Sequence, residues 1–228
     1  MRLGDGAGPD DGGVARAWWD GLANAVAVRE RGRATRELVH RAIVGRARAG
    51  AGREVRVASI AAGSARYVLE ALRQVPAGVP VRACLLDWDE DAASYSHQLA
   101  GALGVGRRIE AIVGNAIRVR QHFAPRSLDL AEAVGLLDYL ADGTTVRFLR
   151  QLRGLLRPGG TIVASNILPN EEREFLHTAM GWRAMHYRTE EDFVALFLRA
   201  GFAPGDLTLH RLPTGIYAIV EATLGAQD

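Results

Sequence analysis

Residues 55–66 read VRVASIAAGSAR and join a short run of β-forming residues to a helical pattern through a turn of small side chains. The pattern predicts a strand over residues 55–60 and a helix over residues 65–74. Small residues in the turn let a ligand approach the backbone, and the helix start offers unpaired N–H groups. This junction is the first strand–helix unit of the chain.

The same alternation of strand and helix continues to the end of the sequence. Further strands are predicted over residues 81–86, 108–113, 128–134 and 161–167, and a closing hairpin over residues 207–211 and 216–223. Helices are predicted over residues 89–103, 145–156, 171–180 and 190–200. Alternation of this kind indicates βαβ units. The predicted fold is α/β, a doubly wound and mostly parallel seven-stranded sheet with an antiparallel C-terminal edge.

We assign the alternating strand and helix pattern to one domain over residues 53–228. The residues before it do not show this alternation. Residues 1–13 are rich in Gly and Asp and do not begin with a basic stretch followed by an apolar one, so we expect a flexible tail and not a signal peptide. Residues 14–52 predict a helical cap of two helices, over 14–30 and 34–48, with Thr35 as a candidate N-cap. Because no apolar run reaches the roughly 18–20 residues of a membrane helix, we expect a cytoplasmic protein.

Composition excludes several kinds of chemistry. The 228 residues are 48% hydrophobic with a net charge of +2, and all 28 basic residues are arginine. Without lysine the chain has no P-loop lysine and no Schiff-base lysine. Cys84 is the single cysteine, which excludes an intrachain disulfide. It lies in an apolar run, and we interpret it as a buried, inert thiol.

Candidate ligand contacts follow the predicted strands, because open α/β sheets bind ligands at the carboxyl ends of their strands. Gly63 lies in the turn after the first strand. Asp87 follows the second strand, 24 positions later, where a carboxylate can accept hydrogen bonds from both ribose hydroxyls. Asn115 follows the third strand, and Gly135 follows the fourth.

This order of motifs resembles the Rossmann-like class I S-adenosylmethionine-dependent methyltransferases that act on small molecules. The resemblance covers residues 55–222. It is carried by the small-residue turn at residues 59–65, by Asp87, by Asn115 and Ala116, by residues 129–140 and by the Leu-Arg-Pro-Gly-Gly turn at residues 156–160. Residues 135–140 and 166–170 are similar to a bacterial subgroup linked to methyl-ester formation on hydroxy fatty acids.

The resemblance implies S-adenosylmethionine as cofactor and a set of residues that hold it. The turn would pass under the methionine part, Asp87 would hold the ribose, and Asn115 would meet the adenine amine. Arg29 is our hypothesis for the cofactor carboxylate, because a guanidinium matches a carboxylate in a bidentate way. The complete predicted set is Arg29, Ser59, Ala61, Gly63, Asp87, Trp88, Asn115, Ala116, Val134 and Gly135.

The first turn departs from the family pattern. That turn usually begins with an acid that helps to hold the methionine amine, and it usually contains three glycines. Here Ser59 stands in the place of the acid, and only Gly63 remains of the glycines. Asn115 replaces a common Asp, although an amide oxygen can still accept a hydrogen bond from the adenine amine.

The acceptor is expected between the N-terminal helices and the segment after the fifth strand. The predicted substrate contacts are Trp18, Trp19, Asn166, Asn170 and Arg188. His186 or Tyr187 could act as general base, and Tyr139 could border the methyl-transfer site. We expect a small-molecule acceptor, such as a secondary metabolite or an acyl carboxylate, with no metal, no nucleic acid and no membrane partner, in a monomer or homodimer.

Two alternatives stay open at this point. The altered turn could belong to a protein that keeps the cofactor pocket but catalyses a cyclisation or rearrangement, or that serves as a binding module. A nicotinamide-dependent oxidoreductase is disfavoured, because the turn lacks Gly-x-Gly-x-x-Gly spacing and a Tyr-x-x-x-Lys pair cannot exist without lysine.

Overall fold

A computed structural model of the protein describes residues 21–50, 52–178, 181 and 185–225. The strands are β1 (Val55–Ile60), β2 (Val81–Asp87), β3 (Ile109–Val113), β4 (Leu128–Ala133), β5 (Leu156–Ile167), β6 (Leu207–Arg211) and β7 (Tyr217–Thr223). The helices are α1 (Ala23–Ala49), α2 (Arg66–Gln74), α3 (Glu90–Ala102), α4 (Asp142–Leu155), α5 (Arg173–Thr178) and α6 (Glu190–Ala200). Most predicted strands agree with these bounds to within one residue.

All seven strands form one sheet in the order β3-β2-β1-β4-β5-β7-β6. The pairs β1–β2, β1–β4, β2–β3 and β4–β5 are parallel, and β7 is antiparallel to both of its neighbours. The predicted α/β fold class and the antiparallel C-terminal edge are therefore confirmed. The carboxyl ends of β1, β2 and β4 lie side by side, which brings the candidate residues to one edge.

Helices cover both faces of the sheet. On one face α4 and α6 bury a cluster that includes Phe148, Phe193 and Phe197. On the other face α1 and α2 bury Val39, Leu69 and their neighbours. Strands packed on both faces need apolar residues at almost every position. β4 and most of β5 are continuously buried because helices cover both faces, and the two acids of β4, Asp129 and Glu132, are therefore buried too.

Within the described residues 21–50, one continuous helix runs through the break that the sequence predicts between residues 30 and 34. Helix α1 continues through Gly32, and Thr35 caps nothing because its Oγ1 donates to the carbonyl of Arg31 at 2.7 Å inside the helix. A Cβ at Gly32 would lie 1.9 Å from the ring of Tyr67 on α2. Gly32 therefore serves close helix packing and does not mark a break. Residues 1–20, with the predicted tail and the start of the first helix, lie outside the described residues.

The sequence Arg157 to Gly160 forms part of β5 and not a turn before it. Leu156 pairs with Leu128 and Thr161 with Leu130, so β5 carries extra residues opposite β4. Gly159 has a φ of +71°, which favours glycine at this irregularity. The predicted turn residues are thus a bulge inside a longer strand.

A cluster of charged side chains lies at the opposite end of the sheet, where the parallel strands begin. The buried Asp129 carboxylate accepts hydrogen bonds from the guanidinium groups of Arg46, Arg53 and Arg157 and from the Arg56 N–H. Burial alone would raise the pKa of Asp129, but these donors outweigh it and lower the pKa. This arginine cluster joins α1, β1, β4 and β5 away from the candidate site.

Candidate active site

The turn after β1 bends sharply and leaves space in front of its backbone. Ala61, Gly63 and Ala65 all have φ values between +50° and +55°. Alanine rarely adopts this conformation, so the two alanines carry local strain of a kind that concentrates at functional sites. A Cβ at Gly63 would meet nothing within 4 Å. The predicted approach of a ligand to the backbone of this turn is sterically open.

Asp87 holds the turn in place from the end of β2. Its Oδ2 accepts a hydrogen bond from the Gly63 N–H at 2.7 Å, and its Oδ1 accepts one from the Asp89 N–H at 3.1 Å. A carboxylate has about four acceptor positions, so both oxygens can still accept a hydroxyl. Asp89, and not Asp87, caps α3 by accepting from the Asp91 N–H. Asp87 therefore remains able to bind a sugar diol beside the turn.

Trp88 and Asn115 continue the edge beyond Asp87. The Trp88 side chain is 84% exposed, and a planar ring could stack on it. Asn115 is exposed, and its Oδ1 accepts a hydrogen bond from the Ile117 N–H at 2.9 Å. Ala116 follows as the first residue of the 3₁₀ turn Ala116–Gln121. The Gly114 N–H donates to the Asp87 carbonyl, which keeps this loop next to β2.

A carboxylate that the sequence analysis missed lies beside Ser59. Ser59 on β1 and Glu132 on β4 are paired across the two strands, and the Ser59 Oγ donates to Glu132 Oε2 at 2.5 Å. Glu132 Oε1 accepts from the Val134 N–H at 2.8 Å. Burial raises the pKa of Glu132, although these two donors and Arg31 oppose the shift. The sequence did contain a signal for this residue, because Glu132 is an acid inside the otherwise mostly apolar fourth strand.

Arg31, and not Arg29, points toward this carboxylate. A cavity of about 110 Å³ is lined by Arg31, Thr35, Ser59, Glu132, Val134 and neighbouring residues of α1 and α2. The Arg31 guanidinium lies 4.3 Å from the centre of the Tyr217 ring and 3.4 Å from Asp138 Oδ2. Arg29 is exposed and does not line this cavity. The structure thus replaces Arg29 by Arg31 as the arginine of the pocket.

The backbone after β4 forms the wall next to Arg31. Gly135 has a φ of +85°, and its N–H donates to the Ser165 Oγ at 3.1 Å. A Cβ at Gly135 would lie 3.4 Å from an Arg31 guanidinium nitrogen. Val134 therefore lines the same cavity as Arg31 and Glu132, and Gly135 lies next to the Arg31 guanidinium.

Two predicted substrate residues are structural instead. Arg188 is buried, and its guanidinium donates to Asp142, to Asn166 Oδ1 and to the carbonyls of Leu137 and Leu140. Asn166 is fully buried, and its amide donates to the His186 carbonyl at 3.0 Å and to the carbonyl of Ile167. The predicted substrate role of Asn166 and Arg188 is wrong, because backbone carbonyls of neighbouring loops occupy their donors.

Asn170 lies nearer to open space. Its amide donates to the Leu168 carbonyl, and its Oδ1 accepts from Asn24 on α1 at 3.1 Å. It also lines a cavity of about 350 Å³, together with Glu171, Arg173, Glu174, His177, Met185 and Tyr187. The predicted Trp18 and Trp19 lie outside the described residues.

Three predicted catalytic residues gather around Asp138. Tyr139 is 53% exposed, and the exposed His186 follows the same wall, with its N–H donating to the Asp138 carbonyl at 2.6 Å. The Tyr187 Oη is buried and has no hydrogen-bond partner among the described residues, while Arg173 lies 4.8 Å from the centre of its ring. Burial raises the pKa of both tyrosines, and the Asp138 carboxylate adds to the shift. Neutral hydroxyls of this kind can orient an acceptor, but they are poor proton acceptors near neutral pH.

The fold and this edge together define a class I S-adenosylmethionine-dependent methyltransferase. The chain belongs to the family described as "Putative methyltransferase", whose model matches residues 13–203. The recognition made from the sequence is therefore confirmed, and so is S-adenosylmethionine as the cofactor of this class. No curated protein sequence matches the chain.

Solved structures agree with the fold. A possible exported protein from Bordetella parapertussis superposes with a TM-score of 0.75 at 21% identity, covering 99% of this chain and 76% of that one. An O-methyltransferase family protein from Burkholderia thailandensis gives 0.66 at 16% identity, covering 96% and 62%. The [4+2]-cyclase SpnF gives 0.63 at 15% identity, covering 85% and 80%. The chain spans about half the length of several other similar methyltransferase structures.

The residues present fit the cofactor of this class. The open turn, the Asp87 carboxylate, the exposed Trp88 ring and a cavity with one guanidinium and one carboxylate follow one another along the edge. These groups match a planar base, a sugar diol and an amino-acid end.

No helix in the described part of the chain is both long and apolar enough to cross a bilayer.

Proposed function

We propose that this protein transfers a methyl group from S-adenosylmethionine to an oxygen or nitrogen of a small-molecule acceptor. The observation that carries the proposal is the hydrogen bond between Asp87 and Gly63, which holds a carboxylate that could bind a sugar against an open, strained turn. Family membership supports methyl transfer as the reaction class. The cofactor, when bound, supplies a methyl group on a positively charged sulfur.

The adenosine end is assigned to the edge formed by β1, β2 and β3. Asp87 would accept the ribose hydroxyls, Trp88 would cover one face of the adenine, and Asn115 with Ala116 would meet its polar edge. Val134 and Gly135 would border the methionine end. Trp88 is exposed, a Cβ at Gly63 would meet nothing within 4 Å, and Val134 lines the cavity beside Arg31, whereas the Asp87 carboxylate is 7% exposed and would contact the ribose at the inner side of the edge.

The acceptor is assigned to the larger cavity next to Tyr187. Its lining is mostly polar or charged, with Met185 and the Tyr187 ring as the apolar part; the polar residues are Asn170, Glu171, Arg173, Glu174 and His177. Polar groups of this kind can fix the orientation of a small acceptor, while Met185 and Tyr187 can contact its carbon skeleton. Tyr187, one of the predicted catalytic residues, borders the cavity. A secondary metabolite or an acyl carboxylate is the acceptor class that we propose.

Alignment is the main contribution of the protein to such a reaction. Holding two reactants in line can be worth on the order of 7–11 kcal/mol. The exposed Tyr139 hydroxyl would donate a hydrogen bond that orients the acceptor, and the Tyr187 ring would contact it. His186 is the candidate for taking a proton from a hydroxyl acceptor, whereas a carboxylate acceptor has no proton to lose.

Isothermal titration with S-adenosylmethionine and S-adenosylhomocysteine tests the first half of the proposal. We expect both compounds to bind, and a protein that binds neither would refute the assignment. Mass spectrometry of small molecules that copurify with the protein would then identify acceptors. An identified acceptor that gains no methyl group with S-adenosylmethionine would refute transfer to it.

A cyclisation or rearrangement is the second candidate, and the similarity to the cyclase SpnF favours considering it. The altered turn, which keeps only Gly63 of the expected glycines, points the same way. The two reactions differ in one product, because methyl transfer forms S-adenosylhomocysteine in equal amount to the product. An acceptor converted without S-adenosylhomocysteine would support the second candidate.

A further inference from the structure

The cofactor pocket contains an acid in an unexpected place. The residue at the end of β1, where this class usually has its acid, is Ser59. The neighbouring strand places the Glu132 carboxylate against that serine, with 2.5 Å between the Ser59 Oγ and Glu132 Oε2. Only one strand spacing therefore separates this carboxylate from the usual position of the acid.

The surroundings of Glu132 favour a cationic ligand group. Each carboxylate oxygen accepts one hydrogen bond, from the Ser59 hydroxyl and from the Val134 N–H, and each can accept another. Among the described residues, Glu132 forms no ion pair, and Arg31 forms one with Asp138. A buried carboxylate without a direct cationic partner is costly, and a bound cation removes that cost.

Arg31 supplies the complementary charge in the same cavity. Its guanidinium has five N–H donors and contacts Asp138 through Nη1 at 3.4 Å. Donors that Asp138 does not use can bind a carboxylate. The cavity between Arg31, Thr35, Ser59 and Glu132 therefore offers one cationic and one anionic group to a zwitterion.

We propose that Glu132 on β4 replaces the missing acid of β1 and binds the α-ammonium group of the cofactor, while Arg31 binds its α-carboxylate. This inference deepens the proposed function and rests on it. The acid that binds the ammonium group thus lies on β4 and not on β1, and its hydrogen bond with Ser59 orients it.

Two nucleosides separate this inference from the proposed function. S-adenosylhomocysteine carries the amino-acid end, and methylthioadenosine lacks it. By isothermal titration, Glu132→Gln should weaken S-adenosylhomocysteine binding about 10- to 100-fold, the range of a lost charge-assisted hydrogen bond. Binding of methylthioadenosine should change less than about 3-fold. Glu191→Gln, the same change on the exposed start of α6, serves as the matched control and should leave both affinities unchanged.

Each outcome has a clear meaning. If the wild-type protein binds neither nucleoside, the proposed function fails. If it binds both, and Glu132→Gln binds S-adenosylhomocysteine normally or weakens both nucleosides equally, the inference is overturned while the proposed function stands. Thermal unfolding confirms that the variants are folded.

A relocation variant provides a second readout. Combining Ser59→Asp with Glu132→Gln returns the acid to β1 and should restore most of the lost affinity for S-adenosylhomocysteine. A folded double variant that binds as weakly as Glu132→Gln would assign the loss to packing of β4 and would contradict the proposal.

Discussion

The Asp87 carboxylate accepts a hydrogen bond from the Gly63 N–H over 2.7 Å, which joins the end of β2 to the turn after β1. The same carboxylate accepts from the Asp89 N–H. Asp87 thus holds the backbone that faces the ligand and is itself a candidate ligand contact. Substitution at this residue should affect binding through both roles.

Asp87→Ala should weaken S-adenosylmethionine binding by about 1–3 kcal/mol through lost charge-assisted hydrogen bonds. Isothermal titration measures the change. Asp89→Asn is the matched control, because asparagine is also a good N-cap and should preserve both α3 and affinity. An unchanged dissociation constant in Asp87→Ala would contradict the ribose assignment.

Arg31→Gln should weaken S-adenosylhomocysteine binding about 10- to 100-fold, because it removes the guanidinium of the pocket. Arg29→Gln should leave binding unchanged. The comparison, made by titration at a temperature where both variants are folded, tests which arginine serves the cofactor. A larger loss in Arg29→Gln would favour the hypothesis drawn from the sequence.

Tyr187→Phe should raise the free energy of unfolding by about 1 kcal/mol, because a buried hydroxyl without a partner is costly. Urea unfolding measures this change. A destabilised Tyr187→Phe protein would show that the hydroxyl has a partner after all.

The Glu132 side chain should make stability depend on pH. Burial raises its pKa in the folded protein above the unfolded value, so its contribution is present at low pH and is lost as pH rises through the folded pKa. Arg31 faces Glu132 from α1 and opposes this shift without cancelling it. Glu132→Gln should therefore gain unfolding free energy relative to wild type between about pH 5 and pH 8.

Urea unfolding of both proteins without ligand at the two pH values measures the effect. The pKa of Asp138 is also raised by burial, and Asp138 shares Arg31 with Glu132, so Asp138→Asn alone and combined with Glu132→Gln separates the two contributions. A difference that stays constant with pH would show that Glu132 is ionised over the whole range.

Cys84 should be almost unreactive in the folded protein. Burial and the Glu110 carboxylate raise the pKa of its thiol from 9.0 to about 12. The thiolate fraction near neutral pH should therefore fall on the order of 10³-fold relative to an unfolded chain. Reaction with a disulfide reagent before and after urea unfolding measures this ratio, and equal rates would contradict the buried-thiol interpretation.

The strands and Asp87 could be predicted because their signals are local. Apolar runs bounded by turn residues placed β1 and β6 at their observed bounds, and counting from Gly63 located Asp87. Both depend on short stretches of sequence and on the general rule for ligand position in α/β sheets. Most of the architecture is decided at this level.

The errors arise from contacts between distant segments. Arg29 and Arg31 differ by about 200° around a helix, and only the packing of α1 decides which of them faces the sheet. Glu132 becomes relevant through its pairing with Ser59, which strand periodicity does not reveal. Arg188 is of a residue type that often binds ligands. Its guanidinium instead donates hydrogen bonds to the carbonyls of Leu137 and Leu140, about 50 positions earlier in the chain.

The contact between Arg31 and Tyr217 joins residues near opposite ends of the sequence. During synthesis on the ribosome the nascent chain presents Arg31 early, and the ring that supports it emerges only after β7 is made. A ligand that binds beside the Arg31–Tyr217 contact can stabilise the chain only after β7 has been made, because ligand binding stabilises only the state that binds the ligand. Cellular cofactor supply would then influence the survival of completed chains and not the early stages of their folding.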